Sequence, residues 1–423
     1  METMNQRTGS KQPHNRWWIV IGALLGLTVG NGPIMQFTFG VFLLPVTREF
    51  GWARSQASLA LAIGLAATAL CVPIAGRLMD RYGVRRVSLP AITAFAAATA
   101  ALAFVPPSPL AFALLYALMG AAAAGQSPLP YAKAIAAAFD QSRGLALGIA
   151  MAGVGIGTAV VPQLAQYVVA HYGWKQAYLT LGGLTFVLGI TAMGWLIHEP
   201  HGATARRIDR ADIPGLAIGA AVRTPQFWKL SLAFFVVAAA TNGAIAHLVP
   251  LLGGRGIAPA VATSALAGAG LALTLGRLFA GWLLDRFFAP YVAIFFFLLP
   301  LAGLVLLIAG SGLGMSIAAV VLIGLGLGAE VDLIAFLLSR YFGMRSFGEI
   351  YGYLFTLFML GNGLGPWVMG VSFDATGSYT LCLAVMCGAL AVAALLVSRL
   401  GAYGYPPERD TGTSSACRTA AAH

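Results

Sequence analysis

The stretch FFAPYVAIFFFLLPLAGLVLLIAGSGLGMSIAAVVLIGLGLGA, residues 287–329, contains no Asp, Glu, Lys or Arg. One helical crossing of a bilayer needs about 20 apolar residues, so this run is twice as long as a single crossing requires. Gly310-Ser311-Gly312 places a turn near its middle, and the stretch reads as two antiparallel membrane-spanning helices. It is continuously apolar rather than alternating, which argues against barrel strands.

Nine further uncharged runs follow: 17–47, 55–76, 87–132, 144–174, 176–198, 230–254, 256–276, 350–373 and 375–398. The run 87–132 is also of double length and breaks at Pro106-Pro107-Ser108-Pro109, so ten runs give twelve helices. Composition agrees. Of 423 residues, 59% are hydrophobic and 9% charged, and the mean hydropathy is +0.83. A soluble domain carries about 25% charge, and a soluble fold this apolar would have no polar surface left to keep it in solution. An ordinary soluble enzyme is therefore excluded, and the sequence predicts an all-α membrane protein.

The basic excess, 25 Lys and Arg against 14 Asp and Glu, is mostly a topology signal rather than a nucleic-acid footprint. With the amino terminus in the cytoplasm, nineteen basic residues fall inside and only Arg48, Arg54, Lys175 and Arg255 fall outside, while Lys133 and Arg277 lie within helices. The expectation is a multi-pass protein of the cell membrane, plasma or inner, with both termini cytoplasmic. It is expected to work as a monomer among lipids with no nucleic-acid partner. No secretory signal is expected ahead of the first helix. Residues 1–16 and 401–423 are expected to be cytoplasmic tails. Cys71, Cys382, Cys387 and Cys417 show no metal spacing, the six histidines are scattered, and no nucleotide-binding loop is present. No metal or cofactor is expected.

The chain repeats itself. Gly76, Leu78, Asp80 and Arg81 match Gly281, Leu283, Asp285 and Arg286 at a shift of 205, and Ser142, Gly144, Gly148, Gly157 and Pro162 match Ser346, Gly348, Gly352, Gly361 and Pro366 at a shift of 204. This predicts two six-helix bundles, 17–198 and 226–400, joined by a cytoplasmic loop at 199–225. Parallel repeats place a substrate site between the bundles near mid-depth.

The run Gly76-Arg-Leu-Met-Asp80-Arg81-Tyr-Gly83-Val-Arg-Arg86 resembles the signature loop of the major facilitator superfamily. Within that superfamily, Phe39-Gly-Val-Phe-Leu-Leu-Pro45, then Glu49-Phe-Gly-Trp52-Ala-Arg54-Ser55, and Arg143-Gly-Leu145-Ala-Leu-Gly148 resemble the bacterial monocarboxylate and oxalate/formate group. The first helix departs from the animal carriers of that kind, with Asn31-Gly32-Pro33 in place of their motif. The resemblance implies two pseudo-symmetric bundles, transport by alternating access, and an arginine in the eighth helix that holds the substrate carboxylate. Arg277 occupies that helix.

The residues add their own reading. Asp80 at the end of the second helix is expected to face the positive end of the eleventh helix, and Asp285 that of the fifth. Gly76, Asp80, Arg81, Gly83 and Arg86, with Gly281, Asp285 and Arg286, would then form a cytoplasmic gate. Gly153-Val-Gly155-Ile-Gly157 lacks the spacing of a dinucleotide fingerprint. Gly148, Gly153, Gly157 and Pro162 are instead expected to pack the fifth helix closely on a helix of the other half.

Charges inside a membrane need a partner or a purpose. Arg277, Asp332, Glu330 and Lys133 all fall in the inner half at similar depth, Arg277 about 12 Å from its helix end at 1.5 Å per residue. Glu330 and Asp332 point about 200° apart, so one faces a neighbouring helix when the other faces the cavity. Arg277, Tyr131, His247 and Asn31 are expected to contact substrate, and Glu330, Asp332 and Lys133 to couple protons or form intramembrane ion pairs. Two cations and two anions balance when the site is empty, so a bound carboxylate favours uptake of a proton. The expectation is a proton-coupled carrier of a small organic anion, a monocarboxylate. The alternatives are an anion exchanger, an efflux carrier of amphipathic compounds, and a membrane sensor that does not transport.

Overall fold

A computed structural model describes residues 16–139, 143–197, 214–310, 312–343 and 345–405. Among them are twelve helices long and apolar enough to cross a membrane: α1 (Trp17–Phe37), α2 (Arg54–Met79), α3 (Val84–Phe104), α4 (Pro109–Ile135), α5 (Ala146–Tyr172), α6 (Trp174–Leu196), α7 (Pro225–Ala246), α8 (Pro259–Leu284), α9 (Ala289–Ala309), α10 (Leu313–Phe342), α11 (Phe347–Thr376) and α12 (Thr380–Ser398). Twelve crossings return the chain to the side where it begins. That side, holding Arg16 and Ser398, is the terminal face; the side holding Gly51 and Gly377 is the distal face.

Local chemistry sets the helix ends. Ser108 and Thr224 accept the backbone N–H groups of Ala111 and Phe227 at 3.4 Å, each with a proline at the first helical position. The helix of α2 runs on to Tyr82, so only Gly83, whose φ of 90° requires glycine, separates it from α3. Large apolar side chains such as Leu70, Phe104, Trp195 and Leu278 stand exposed around the outside, as a lipid-facing surface demands.

Packing repeats between the halves. In the first, α1 packs on α5, α2 on α4 and α3 on α6; in the second, α7 packs on α11, α8 on α10 and α9 on α12. Between halves, α2 lies along α11 and α5 along α8. Every pairing recurs when six helices are added, giving two pseudo-symmetric six-helix bundles.

Both leading helices are broken. After Asn31, α1 widens into a π-type turn at Gly32–Phe37 containing Pro33, then continues as the helix Phe39–Phe50. After α7, His247 interrupts the helix, which resumes as Leu248–Gly253.

At the terminal face, the segment 214–216 docks on the end of α10, with Leu216 N donating to Phe342 O at 2.8 Å. The expected tail beginning at 401 starts as packed structure. Tyr341 donates to Gly401 O at 2.7 Å, and Tyr405 N to Arg340 O at 2.8 Å.

One packing expectation is corrected. A Cβ on Gly153 would stand 2.2 Å from Leu24 O, and one on Gly157 2.3 Å from Thr28 O, so both glycines hold α5 against α1 of the same half. Gly155, on the opposite face, is the one that meets Thr274 and Gly270 of α8 in the other half. Residues four apart share a helix face and residues two apart do not. Among the described residues Gly148 meets nothing within 4 Å and is no packing glycine.

Candidate functional site

Three polar clusters interrupt the apolar interior. The first lies toward the terminal face. Gly328 of α10 sits where a Cβ would be 2.1 Å from Leu273 O and 2.9 Å from the Arg277 backbone nitrogen, so α8 and α10 touch backbone to backbone. This contact brings Arg277 Nε to 3.2 Å from Asp332 Oδ2, with the two side chains 20% and 40% exposed. The ion pair is not an aligned hydrogen bond, because Arg277 Nε is buried without an acceptor among the described residues.

The second cluster joins the halves at mid-depth. Glu330, 1% exposed, accepts a hydrogen bond from Thr241 Oγ1 of α7 at 2.9 Å. Asn242 Nδ2 donates to Thr241 Oγ1 at 3.3 Å and also bonds Asn362 of α11. Asn242 Oδ1 accepts from Gln36 of α1, in the other half. The divergence of Glu330 and Asp332 therefore resolves as the helical angle implies: Asp332 meets Arg277 on α8, and Glu330 turns to α7.

The third cluster lies at the distal face. Pro366 O lies 2.8 Å from His247 Nε2, and a carbonyl only accepts, so Nε2 carries the hydrogen. In the neutral ring Nδ1 then accepts from the Tyr379 hydroxyl at 2.9 Å, and that hydroxyl accepts from Arg54 Nη1 at 2.5 Å. Ser58 Oγ stands 3.2 Å from Nε2. The Asp374 carboxylate accepts from the backbone N–H groups of Arg54 and Ser55 at 3.1 and 2.8 Å, capping α2 from the opposite half. The Arg54 guanidinium lies 3.6 Å over the Phe373 ring.

The other expected residues are dispersed. His247, a substrate candidate in the sequence, belongs to the distal cluster and makes its bonds there. Lys133 donates to Gly76 O at 3.1 Å, placing a cation on the terminal-face end of α2. Tyr131 is fully buried with its hydroxyl against Gly26, whose Cβ would stand 2.3 Å away. Among the described residues its hydroxyl, Asn31 Oδ1 and Gln126 Oε1 are buried without partners, although Gln126 Nε2 donates to Val29 O at 2.9 Å.

Of the gate motif, Gly76 and Gly83 shape the α2 end, and Arg81 lies 5.2 Å over the Tyr82 ring. Arg86 and Asp285 are exposed. Arg286 folds back on its own helix, donating to Trp282 O at 3.1 Å and covering that ring. Gly281 stands in open space. The Asp80 side chain and that of Gly144's neighbour Arg143 lie outside the described residues.

Thr241, Asn362, Ser58, Tyr379 and Asp374 were not singled out by the sequence. Asn362 sits inside Gly361-Asn-Gly363-Leu-Gly365, a pattern dominated by its packing glycines. Arg54 was seen as one of four outside cations and as part of the run from Glu49 to Ser55, without a site role.

Comparison with known proteins follows this geometry. The chain is 25% identical to monocarboxylate transporter 13 of Bos taurus over 373 residues, covering 86% of this chain and 84% of that one. It is 27% identical to human monocarboxylate transporter 11 over 395 residues, covering 87% and 79%. It is 25% identical to the uncharacterized MFS-type transporter YcxA of Bacillus subtilis, covering 88% and 92%. The fold matches the inward-facing, unoccupied structure of a bacterial homolog to the human lysosomal transporter Spinster, with a TM-score of 0.65 at 19% identity over 92% of this chain and 95% of that one. The family model described as Major Facilitator Superfamily matches residues 24–366. With twelve spans, paired six-helix bundles and this match, the chain belongs to the major facilitator superfamily and is a secondary transporter, not an enzyme.

Proposed function

We propose that this transporter carries a small organic anion, a monocarboxylate, together with a proton, by alternating exposure of a site between its halves. The observation that carries the reading is the Arg277–Asp332 pair. A guanidinium inside a spanning helix is costly unless used, and here it is partly exposed with an Nε that has no aligned acceptor. A substrate carboxylate supplies that acceptor in a bidentate fork and displaces Asp332. The distant similarity to monocarboxylate transporters supports the substrate class.

The displaced carboxylate leaves the site one negative charge in excess, which a proton neutralises. The terminal face is assigned to the cytoplasm from the distribution of Lys and Arg. On that face the repeated motif that ends at Asp285 and Arg286 is the proposed gate, and the distal cluster is its counterpart outside.

Proteoliposomes offered radiolabelled monocarboxylates, dicarboxylates and aromatic acids, with and without a pH gradient, test the reading. Monocarboxylate uptake raised by an inward proton gradient and lost in Arg277→Ala is expected. Uptake indifferent to pH but dependent on a preloaded anion makes the protein an exchanger, and wild-type uptake by Arg277→Ala removes the site.

A further inference from the structure

We propose that Glu330, not Asp332, carries the coupled proton, and that the Thr241 hydroxyl transmits its presence to the hydrogen bond between the two halves. This rests on the proton-coupled reading above and names the residues that perform the coupling.

Glu330 is enclosed, and its one hydrogen-bond partner among the described residues is Thr241. The cation on the adjoining α8, Arg277, is taken by Asp332. Among the described residues no other charged or titratable side chain contacts Glu330 from α7, α8, α9 or α11. An ionised carboxylate held by a single hydroxyl in an apolar interior is costly, and a proton removes that cost. Asp332 differs: it has its counter-ion and is partly exposed.

A threonine hydroxyl has one hydrogen to give. Thr241 Oγ1 stands 2.9 Å from Val237 O, 3.3 Å from Ala238 O and 2.9 Å from Glu330 Oε1. When Glu330 is charged, the hydrogen points to Oε1. When Glu330 is protonated, the carboxyl donates to Oγ1 and the hydroxyl hydrogen turns to Val237 O. Both arrangements use the same heavy-atom positions.

Asn242 Nδ2 has two hydrogens for three acceptors, Asn362, Ala238 O at 3.0 Å and Thr241 Oγ1 at 3.3 Å, so the bond to Oγ1 is long and shared, and a second donor from Glu330 weakens it further. Asn242 is the residue whose amide holds Gln36 of α1 and Asn362 of α11. The chain Glu330–Thr241–Asn242–Gln36 therefore runs from a proton site in one half to a contact made by the other. Loading or releasing the proton changes the bonding of the residue on which that contact hangs.

The test has an arm that needs no substrate. Full-length protein in lipid vesicles, acidified and followed by infrared difference spectroscopy, is expected to show a protonated-carboxyl C=O band that is missing in Glu330→Gln, kept in Asp332→Asn and moved in Thr241→Val. A band set unchanged by Glu330→Gln overturns the proposal. The second arm uses radiolabelled pyruvate. One coupled proton gives about tenfold accumulation per pH unit. In Glu330→Gln, entry down the substrate gradient stays measurable while the pH gradient no longer raises accumulation. Persisting pH-driven accumulation overturns the proposal. If the wild type takes up no pyruvate, the substrate assignment fails while the infrared arm still decides the role of Glu330.

Discussion

In the proposed site, Arg277 is useful because of what its guanidinium leaves undone. Asp332 neutralises it without an aligned hydrogen bond at Nε, so exchanging one carboxylate for another loses little at the start and gains a fork at the end. Arg277→Lys keeps the charge and loses the fork. It is expected to raise the substrate KM about 10- to 100-fold, since a charge-assisted hydrogen bond contributes roughly 1.5–3 kcal/mol, and initial-rate uptake against concentration measures this. A second prediction concerns Glu49 at the distal face. Lys175 at 2.9 Å and the Trp174 indole N–H hold its carboxyl below the ordinary glutamate value. A lowered pKa means the pair stabilises the fold above the unfolded value and is lost as pH falls through the folded one. Acid should therefore erode the thermal stability of the wild type slightly more than that of Glu49→Gln. Exposure and salt keep the difference within about 1 kcal/mol, and melting curves across the range below pH ~4.5 read it. At this scale the sequence showed which ionisable groups are anomalous, because charge inside a long apolar run is visible in one dimension. It did not show their partners, since Arg277 finds Asp332 55 residues away only once α8 and α10 lie together.

Helices α5 and α11 each do two packing jobs with one short glycine pattern. Gly153 and Gly157 admit α1, while Gly155 between them admits α8. Gly361 and Gly365 admit α7, while Gly363 faces Ala62 of α2. The alternation follows from about 100° per residue: i and i+4 share a face, and i+2 looks the other way. Each helix thus holds its own bundle on one side and meets the opposite bundle on the other. The two sides should respond differently to substitution. Gly153→Val drives a side chain into Leu24 O, and it is expected to lower stability by about 1–3 kcal/mol as an overpacked contact and to reduce folded yield. Gly148→Ala, with nothing within 4 Å, should fold as the wild type does, and size-exclusion profiles with thermal melts separate the two. Twelve spans, the break between α9 and α10 and the six-helix repeat were legible because lipid forbids charge and unpaired backbone along each crossing. Which neighbour each glycine admits was not legible. That depends on helix rotation, and a 200° choice between two partners leaves no mark on composition.

Across the whole molecule the distal side is sealed by bonds that all run between bundles or through the breaks that open them. Arg54 and Ser55 at the start of α2 are held by Asp374 and Tyr379 at the end of α11 and the start of α12, and His247 at the break after α7 completes the chain through Ser58 and Pro366. Alternating access requires this seal to break as one unit, because α2 and α11 move with different halves. Asp374 is its keystone: a carboxylate on two backbone N–H groups of the other bundle. Asp374→Asn retains one acceptor oxygen but loses the charge opposite the α2 terminus. The expected outcome is a population shift toward an open distal face. With Cys71, Cys382, Cys387 and Cys417 replaced by Ala or Ser, a reporter at Ser58→Cys lies under the seal and should be labelled slowly by a membrane-impermeant thiol reagent applied to the distal side. Adding Asp374→Asn should raise that rate severalfold, since losing about 1–2 kcal/mol of charge-assisted capping changes a two-state ratio by roughly 5- to 30-fold. Ser58→Cys itself touches His247, so a second reporter at Ala62→Cys, against Gly363, guards against a purely local effect. If both cysteines stay as slow in Asp374→Asn as in its absence, the distal cluster does not hold the bundles together, and closure rests on the glycine contact of α2 with α11 alone.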